Sequence, residues 1–205
     1  MNENIVAYVL AYLIGAIPFG LILGRIFGKV NITREGSCSI GATNVLRVLK
    51  SSNPNLAKKL AVLTVVCDAF KAFIPMVVAK VVFDLSDQTI WTMAVLSVIG
   101  HCFSPYLKFE GGKGVATGAG ALIYFLPLEI ICALGIWFII GKVLKISSLA
   151  SLLALFTLIG TSFIFHYEMP VINTHAPIFI ISFVVLYKHI PNIKRLLSGS
   201  EKRVI

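Results

Sequence analysis

The chain has 205 residues, of which 58% are hydrophobic and 13% charged, and it carries a formal net charge of +9. A water-soluble domain normally carries about twice that share of charged residues, so a soluble globule is excluded. The positive balance does not indicate nucleic acid either: the loops between apolar runs leave no room for a separate binding domain, and the charge must serve membrane topology, anionic lipid or an anionic substrate.

Six apolar bands follow in chain order, over residues 5–27, 60–82, 88–107, 115–144, 146–165 and 171–187. The N-terminus is acidic, at Glu3, where a secretory signal would be basic. The first band therefore reads as a retained membrane helix, uncharged from Ile5 to Gly24 and long enough to cross ~30 Å of hydrocarbon. The fourth band is anomalous. If 115–144 crossed once, Lys142 and Lys145 would emerge on the side opposite to Arg34, Arg47, Lys58 and Lys59, against the positive-inside bias. Splitting it near Pro127 and Glu129 into a short helix 115–125 and a returning helix 128–144 restores the bias. The expectation is then seven transmembrane helices in one all-α domain spanning 1–205. Sixteen of the eighteen Lys and Arg lie on the cytoplasmic side or at its membrane boundary, Lys71 and Lys80 being the exceptions, and the outer turns hold Asp84, Asp87, Glu129 and Glu168. Seven spans put the N-terminus outside and the C-terminus in the cytoplasm. The short fourth helix cannot cross alone, so it should begin within the membrane, its polar approach walled by protein or water.

Three segments on the cytoplasmic side of this scheme are polar enough to carry chemistry. In the first, Arg34 to Arg47, small residues let backbone approach a ligand closely, and Ser37, Thr43 and Asn44 add groups able to cradle an oxyanion; a flexible loop with topogenic arginines also accounts for it. The second, Gly100 to Thr117, contains Gly111-Gly112-Lys113-Gly114 at the mouth of the short helix, where unpaired N–H groups, a positive dipole end and a lysine coincide. It lacks the spacing of a nucleotide P-loop. His101, at the end of the third span, either donates to phosphate, takes a proton, or is simply a satisfied helix-end histidine. In the third, Lys188 to Arg203, the basic composition reads as topogenic, but His189 and Asn192 share a face if the chain is helical there, which Pro191 puts in doubt. Asp68 and Lys71 stand three apart inside the second span, where unpaired charge is costly, and so should pair. Ser147, Ser148 and Ser151 either cap a helix or face the same basin. The four cysteines lack metal or disulfide spacing and read as free thiols.

Taken together, these segments resemble the acyl phosphate:glycerol-3-phosphate acyltransferase family of bacterial phospholipid synthesis. The family pattern Gly-Ser-Gly-Asn-x-Gly-Ala-Thr-Asn-x-x-Arg is matched by Gly36, Ser37, Gly41 to Asn44 and Arg47. A second pattern is matched by Gly100, His101, Phe103, Leu107, Phe109 and Gly111 through Thr117. A third is matched by His189, Asn192, Ile193, Arg195, Leu196, Gly199 and Glu201. Departures fall at Cys38 and Ser39, where the family has Gly and Asn, at Ser104, where it has Pro, and at Glu110, where it has Lys.

The resemblance implies a seven-helix bacterial inner-membrane enzyme with its site on the cytoplasmic side. The implied reaction moves a fatty acyl group from acyl phosphate to the 1-hydroxyl of glycerol 3-phosphate. Ser37, His101 and Lys113 are then expected in the chemistry. Thr43, Asn44, Arg47, Gly111, Gly112, Gly114, Thr117, Ser148, His189, Asn192 and Glu201 are expected to hold substrate. No metal, cofactor, nucleic acid or obligate protein partner is implied; the partners are the two substrates and membrane lipid. With no Ser-His-Asp or Cys-His set, direct attack in a ternary complex is expected rather than an acyl-enzyme. A transporter for a phosphorylated solute would also explain a broken helix and intramembrane charge, but the polar residues gather on one face. Transfer from a CDP-linked lipid would need a cluster of aspartates that the motif segments lack.

Overall fold

The computed structural model describes residues 2–203. Among these the chain forms nine α-helices and no strand: α1 Glu3–Gly15, α2 Phe19–Ile26, α3 Ala42–Leu49, α4 Pro54–Val81, α5 Asp87–Cys102, α6 Val115–Leu122, α7 Pro127–Leu144, α8 Ser147–Phe165 and α9 Ala176–Leu197. Local chemistry accounts for several of their starts. Asn53 accepts the Leu56 N–H ahead of Pro54, and Ser86 accepts the Thr89 N–H with Asp87 in the first turn.

Five helical segments are long and apolar enough to cross a membrane, and the bent pair α1–α2 makes a sixth. α6 has eight residues, about 12 Å at 1.5 Å per residue, and cannot cross alone. The band 115–144 is indeed two helices, separated at residues 123–126. Two expected boundaries are corrected. The first band is not one helix: α1 and α2 meet at 41°, because Pro18 has no N–H and its ring excludes a straight continuation. The carbonyls at this break are taken up from elsewhere in the bundle: Ala16 O by Ser104 Oγ, just beyond α5, at 2.8 Å, and Ile17 O by Lys71 Nζ of α4 at 2.8 Å as well as by the Phe19 N–H at 3.1 Å. Ser104, the departure from the family proline, thus closes one end of the break. The last band begins at Ala176 rather than 171 and runs through Pro191 to Leu197, so His189 and Asn192 do share a helical face.

Close approach between helices depends on small residues, as is general in membrane proteins. α1 and α5 run side by side in the same direction, with Asn4 bonded to Thr89 near one end and Tyr12 Oη to the Phe103 carbonyl at 2.8 Å near the other. A Cβ on Gly15 would strike the Ser97 backbone, and one on Gly100 the Tyr12 carbonyl. Gly120 meets Ala69 in the same way and seats α6 against α4. α7 and α8 form an antiparallel hairpin, Glu129 bonding His166 at one end and Trp137 bonding Ser151 nearer the other. Glu129, expected as an exposed outer-turn charge, is fully buried, with Oε1 2.5 Å from His166 Nδ1. The core joins α1 and α4 through α9 around Trp91, which stacks on Phe125 with ring centroids 4.1 Å apart. A smaller apolar cluster, including Leu21, Ile32, Val45, Leu49 and Leu60, holds α3 and its preceding loop against α2 and α4.

Candidate active site

All three polar segments arrive at one end of the bundle. Loop 30–41 is wound around the Asn44 amide: the carbonyls of Ile32, Glu35 and Ser39 lie 2.9, 3.0 and 2.9 Å from Nδ2 and share its two N–H donors, and Oδ1 accepts the Ser37 N–H at 2.8 Å. Asn44, expected to hold substrate, borders the cavity with its polar atoms bonded to the loop, and it positions Ser37 and, three residues on, Arg47 Nη1 at 3.5 Å. Gly36 takes φ +65° in this loop, and a Cβ there would run into Asn44 Oδ1. Cys38 also sits at positive φ, +58°, a conformation that suits the glycine expected at that place. Thr43 Oγ1 lies 2.9 Å from Ser147 Oγ and ties α3 to the start of α8.

The Gly111–Gly114 turn packs on the end of α5. The Gly112 N–H donates to the His101 carbonyl at 3.0 Å, and a Cβ on Gly112 would occupy the place of His101 Nε2. Gly114, at φ +81°, caps α6. These glycines admit the imidazole and turn the chain into α6. Gly111, Gly112 and Thr117, expected as ligand contacts, do not line the cavity; Thr117 is buried, its hydroxyl unpartnered among the described residues.

The C-terminal segment closes the basin. Glu201 Oε1 accepts from Ser148 Oγ at 2.7 Å and Asn192 Nδ2 at 2.6 Å, while Oε2 accepts from Arg195 Nε at 2.5 Å. Burial raises the Glu201 pKa, but these donors outweigh it and hold the carboxyl below its usual 4.5. Glu201 was expected among the substrate-binding groups; its oxygens are already engaged, and it joins α8, α9 and the tail. His189 Nδ1 lies 2.8 Å from the Val185 carbonyl. A carbonyl only accepts, so Nδ1 carries the proton and Nε2 keeps its lone pair.

The result is a cavity of about 680 Å³ with a polar end and an apolar arm. Ser37, Thr43, Arg47, His101, Lys113, Ser148 and His189 line the polar end. Neither Arg47 nor Lys113 forms an ion pair among the described residues; Asp68, which also borders the space, is 2.7 Å from Lys71. Burial lowers Arg47 from its ordinary value, Glu201 raising and Arg195 further lowering it. Burial, together with Arg195 and Arg47 and against Glu201, lowers Lys113 to about 8. The site therefore offers uncompensated positive charge at low dielectric, which favours an anion. The arm is lined by Val65, Phe70 and Phe73 of α4, Leu122 of α6, Leu134 and Trp137 of α7, and Leu155 and Leu158 of α8. Phe70 and Leu134 are about half exposed, so the arm opens sideways on the apolar flank of the bundle. Trp137 and Arg195 had no assigned function from sequence. Nor did the link from Lys71 to His101, at 2.8 Å, although a lysine inside a span signals three acceptors waiting nearby.

Comparison with known proteins gives one picture. A profile described as glycerol-3-phosphate acyltransferase matches residues 5–199. A protein of that name from Campylobacter lari is 70% identical over 99% of this chain and 100% of its own, and one from Wolinella succinogenes is 55% identical over 100% and 98%. Among solved structures, the glycerol 3-phosphate form of PlsY, an integral membrane glycerol 3-phosphate acyltransferase, superposes with TM-score 0.84 at 32% identity, covering 98% of this chain and 96% of that one. Its lysophosphatidic acid form superposes with TM-score 0.81 at 31% identity, covering 98% and 95%.

Proposed function

Since the chain belongs to the glycerol-3-phosphate acyltransferase family, we propose that it transfers a fatty acyl group from acyl phosphate to the 1-hydroxyl of sn-glycerol 3-phosphate, releasing lysophosphatidate and inorganic phosphate. The observation that carries this reading is one cavity whose polar end holds Arg47 and Lys113, without ion-pair partners among the described residues, and whose apolar arm opens toward lipid. Both substrates bear phosphate and one bears a long chain, so the reaction needs both features in one space.

Arg47 and Lys113 bind phosphate. Ser37, held by Asn44, meets the reacting end; His189 and Asn192, on one face of α9, hold the glycerol 3-phosphate headgroup; the acyl chain lies in the arm between α4, α6 and the α7–α8 hairpin. His101 faces the acyl carbonyl and the departing phosphate. Catalysis then rests on proximity and on donors placed around developing negative charge. The whole chain forms one catalytic domain with seven membrane segments: the six apolar ones, and α6 starting within the bilayer. The N-terminus lies outside, and the site faces the cytoplasm of a bacterial inner membrane.

Purified protein given both substrates in the presence of chelator is expected to release phosphate and form lysophosphatidate only when glycerol 3-phosphate is present. Release that is independent of glycerol 3-phosphate would overturn the reading. Impermeant thiol labelling tests the topology in a cysteine-free background: a cysteine replacing Glu168 is reached from outside, and one replacing Ser147 is not. Labelling at Ser147 from outside would remove the seventh segment and separate the motifs.

A further inference from the structure

We propose that Lys71 is a positioning residue for acyl transfer: by filling the Nδ1 lone pair of His101, it holds the imidazole with its proton on Nε2, toward the cavity. This deepens, and rests on, the acyl-transfer reading above.

A lysine ammonium has three N–H donors and no acceptor. Lys71 Nζ has three acceptors at hydrogen-bond distance: the Ile17 carbonyl at 2.8 Å, Asp68 Oδ1 at 2.7 Å and His101 Nδ1 at 2.8 Å. Since Nζ donates, Nδ1 accepts. The competing arrangement, with a proton on Nδ1 given to Asp68, would span 3.7 Å, beyond the range of a hydrogen bond. Separate constraints place the three acceptors. Ile17 O is freed by the break before Pro18, Asp68 lies one turn back on α4, and His101 stands at the end of α5. The ammonium has neither a spare proton nor a spare direction.

The other ring nitrogen is left for the substrate. Nε2 rests over Gly112, where any Cβ would collide with it, and it has no hydrogen-bond partner among the described residues. A neutral imidazole in this tautomer donates from Nε2 and cannot accept a proton there. Acting as base would require the proton on Nδ1, directly against an ammonium. His189 is the internal contrast, since its Nδ1 donates to Val185 O; the two cavity histidines are set in opposite tautomers.

His101 therefore stabilises negative charge on the acyl oxygen or on the departing phosphate and does not remove the hydroxyl proton. In the balanced step, the 1-hydroxyl oxygen bonds to the acyl carbon and the bond from that carbon to the bridging phosphate oxygen breaks. That oxygen keeps the electron pair, and the hydroxyl proton leaves on inorganic phosphate.

Nitrogen-15 NMR of histidine-labelled full-length protein in lipid nanodiscs tests the tautomer directly, His101→Gln identifying which of the four histidines gives the signal. A lone-pair-type Nδ1 and a protonated Nε2 are expected at His101, and the reverse at His189. Turnover gives a second arm. Glutamine carries an N–H close to the position of Nε2 but is no base, so His101→Gln should keep kcat within about tenfold, while His101→Leu loses about 100-fold or more, the usual loss for a removed oxyanion donor. Lys71→Met should move the His101 nitrogen signals toward the other tautomer and lower kcat, with the KM for glycerol 3-phosphate little changed. A protonated Nδ1 at His101 in the parent protein, or a His101→Gln as inactive as His101→Leu, would overturn the proposal, and neither result depends on Lys71→Met folding. The spectrum needs no substrate, so failure of the acyl-transfer reading would show separately as absent phosphate release.

Discussion

Glycerol 3-phosphate binding should weaken about tenfold between pH 7 and pH 9, with Lys113 as the titrating group. In the empty cavity its pKa is lowered to about 8, so the charged fraction falls from about nine-tenths at pH 7 to about one-tenth at pH 9, or roughly 1.4 kcal/mol of binding. The sign follows from the ligand. A bound phosphate favours the ammonium, so above pH 8 binding must draw a proton from solvent, and each rise in pH opposes it. Phosphate monoesters complete their second ionisation near pH 6, so the ligand charge is constant from about pH 7.5 upward and the trend belongs to the protein. Lys113→Arg provides the control: guanidinium stays charged throughout, and its different geometry raises the dissociation constant at every pH without giving a slope. Calorimetric titration with glycerol 3-phosphate at fixed ionic strength, between pH 7.5 and 9.5, measures both proteins. A flat profile for the parent, or the same slope in Lys113→Arg, would refute the assignment.

Other substitutions bear on the frame around the site. Cys38→Gly relieves a residue held at φ +58° and should stabilise the protein by up to about 1 kcal/mol, seen as a higher Tm in detergent with activity kept; a lower Tm would contradict the strain. His166→Ala leaves the fully buried Glu129 without its partner and should cost about 3–5 kcal/mol. Adding Glu129→Leu should recover part of that loss, and a double variant no more stable than His166→Ala would count against the pair. Because Glu201 is held below its usual pKa, its contribution to stability is present above about pH 4.5 and is lost as the pH falls through the lowered value. The fall in Tm across that window should be smaller in Glu201→Gln. Gly112→Ala puts a methyl group where His101 Nε2 lies and should lower kcat by about 100-fold, a loss absent if the imidazole has room to move.

Residue type and order along the chain carried much of the fold, but some partnerships could be seen only in three dimensions. The division of 115–144 was readable because Lys142 and Lys145 penalise the alternative, and Pro127 is a local marker. Pro18 is just as local, yet a break in a membrane helix is tolerable only where outside groups take up the carbonyls. Here those groups stand 54 and 88 residues away, at Lys71 and Ser104. Pro191 misled in the other direction, because α9 continues through it. At the site, the chemistry of Asn44 and Glu201 pointed to the right basin, which both line, but not to the protein groups that engage their polar atoms. An amide or a carboxylate near a phosphate site reads as a ligand contact until its partners are known. For Asn44 these are backbone carbonyls within twelve residues; for Glu201 they are Ser148, Asn192 and Arg195. Glu129 looked like an outward-facing charge only because His166, 37 positions later, cannot be paired with it by spacing.

The break at Ala16–Pro18 also bears on the order in which the protein is assembled. Translation delivers α1 and α2 first, when neither Lys71 nor Ser104 exists. Ile17 O keeps the local Phe19 N–H, but Ala16 O has no partner yet; the nascent first segment must therefore rest at a translocon or a watered interface, or in a conformation other than its final one, because a carbonyl bare in hydrocarbon costs several kcal/mol. Only after α4 and α5 are made do the two missing donors become available. The same lysine that closes the break also sets His101. Completion of the first helix pair and preparation of the site thus become a single late event, and a chain arrested before α5 would have neither.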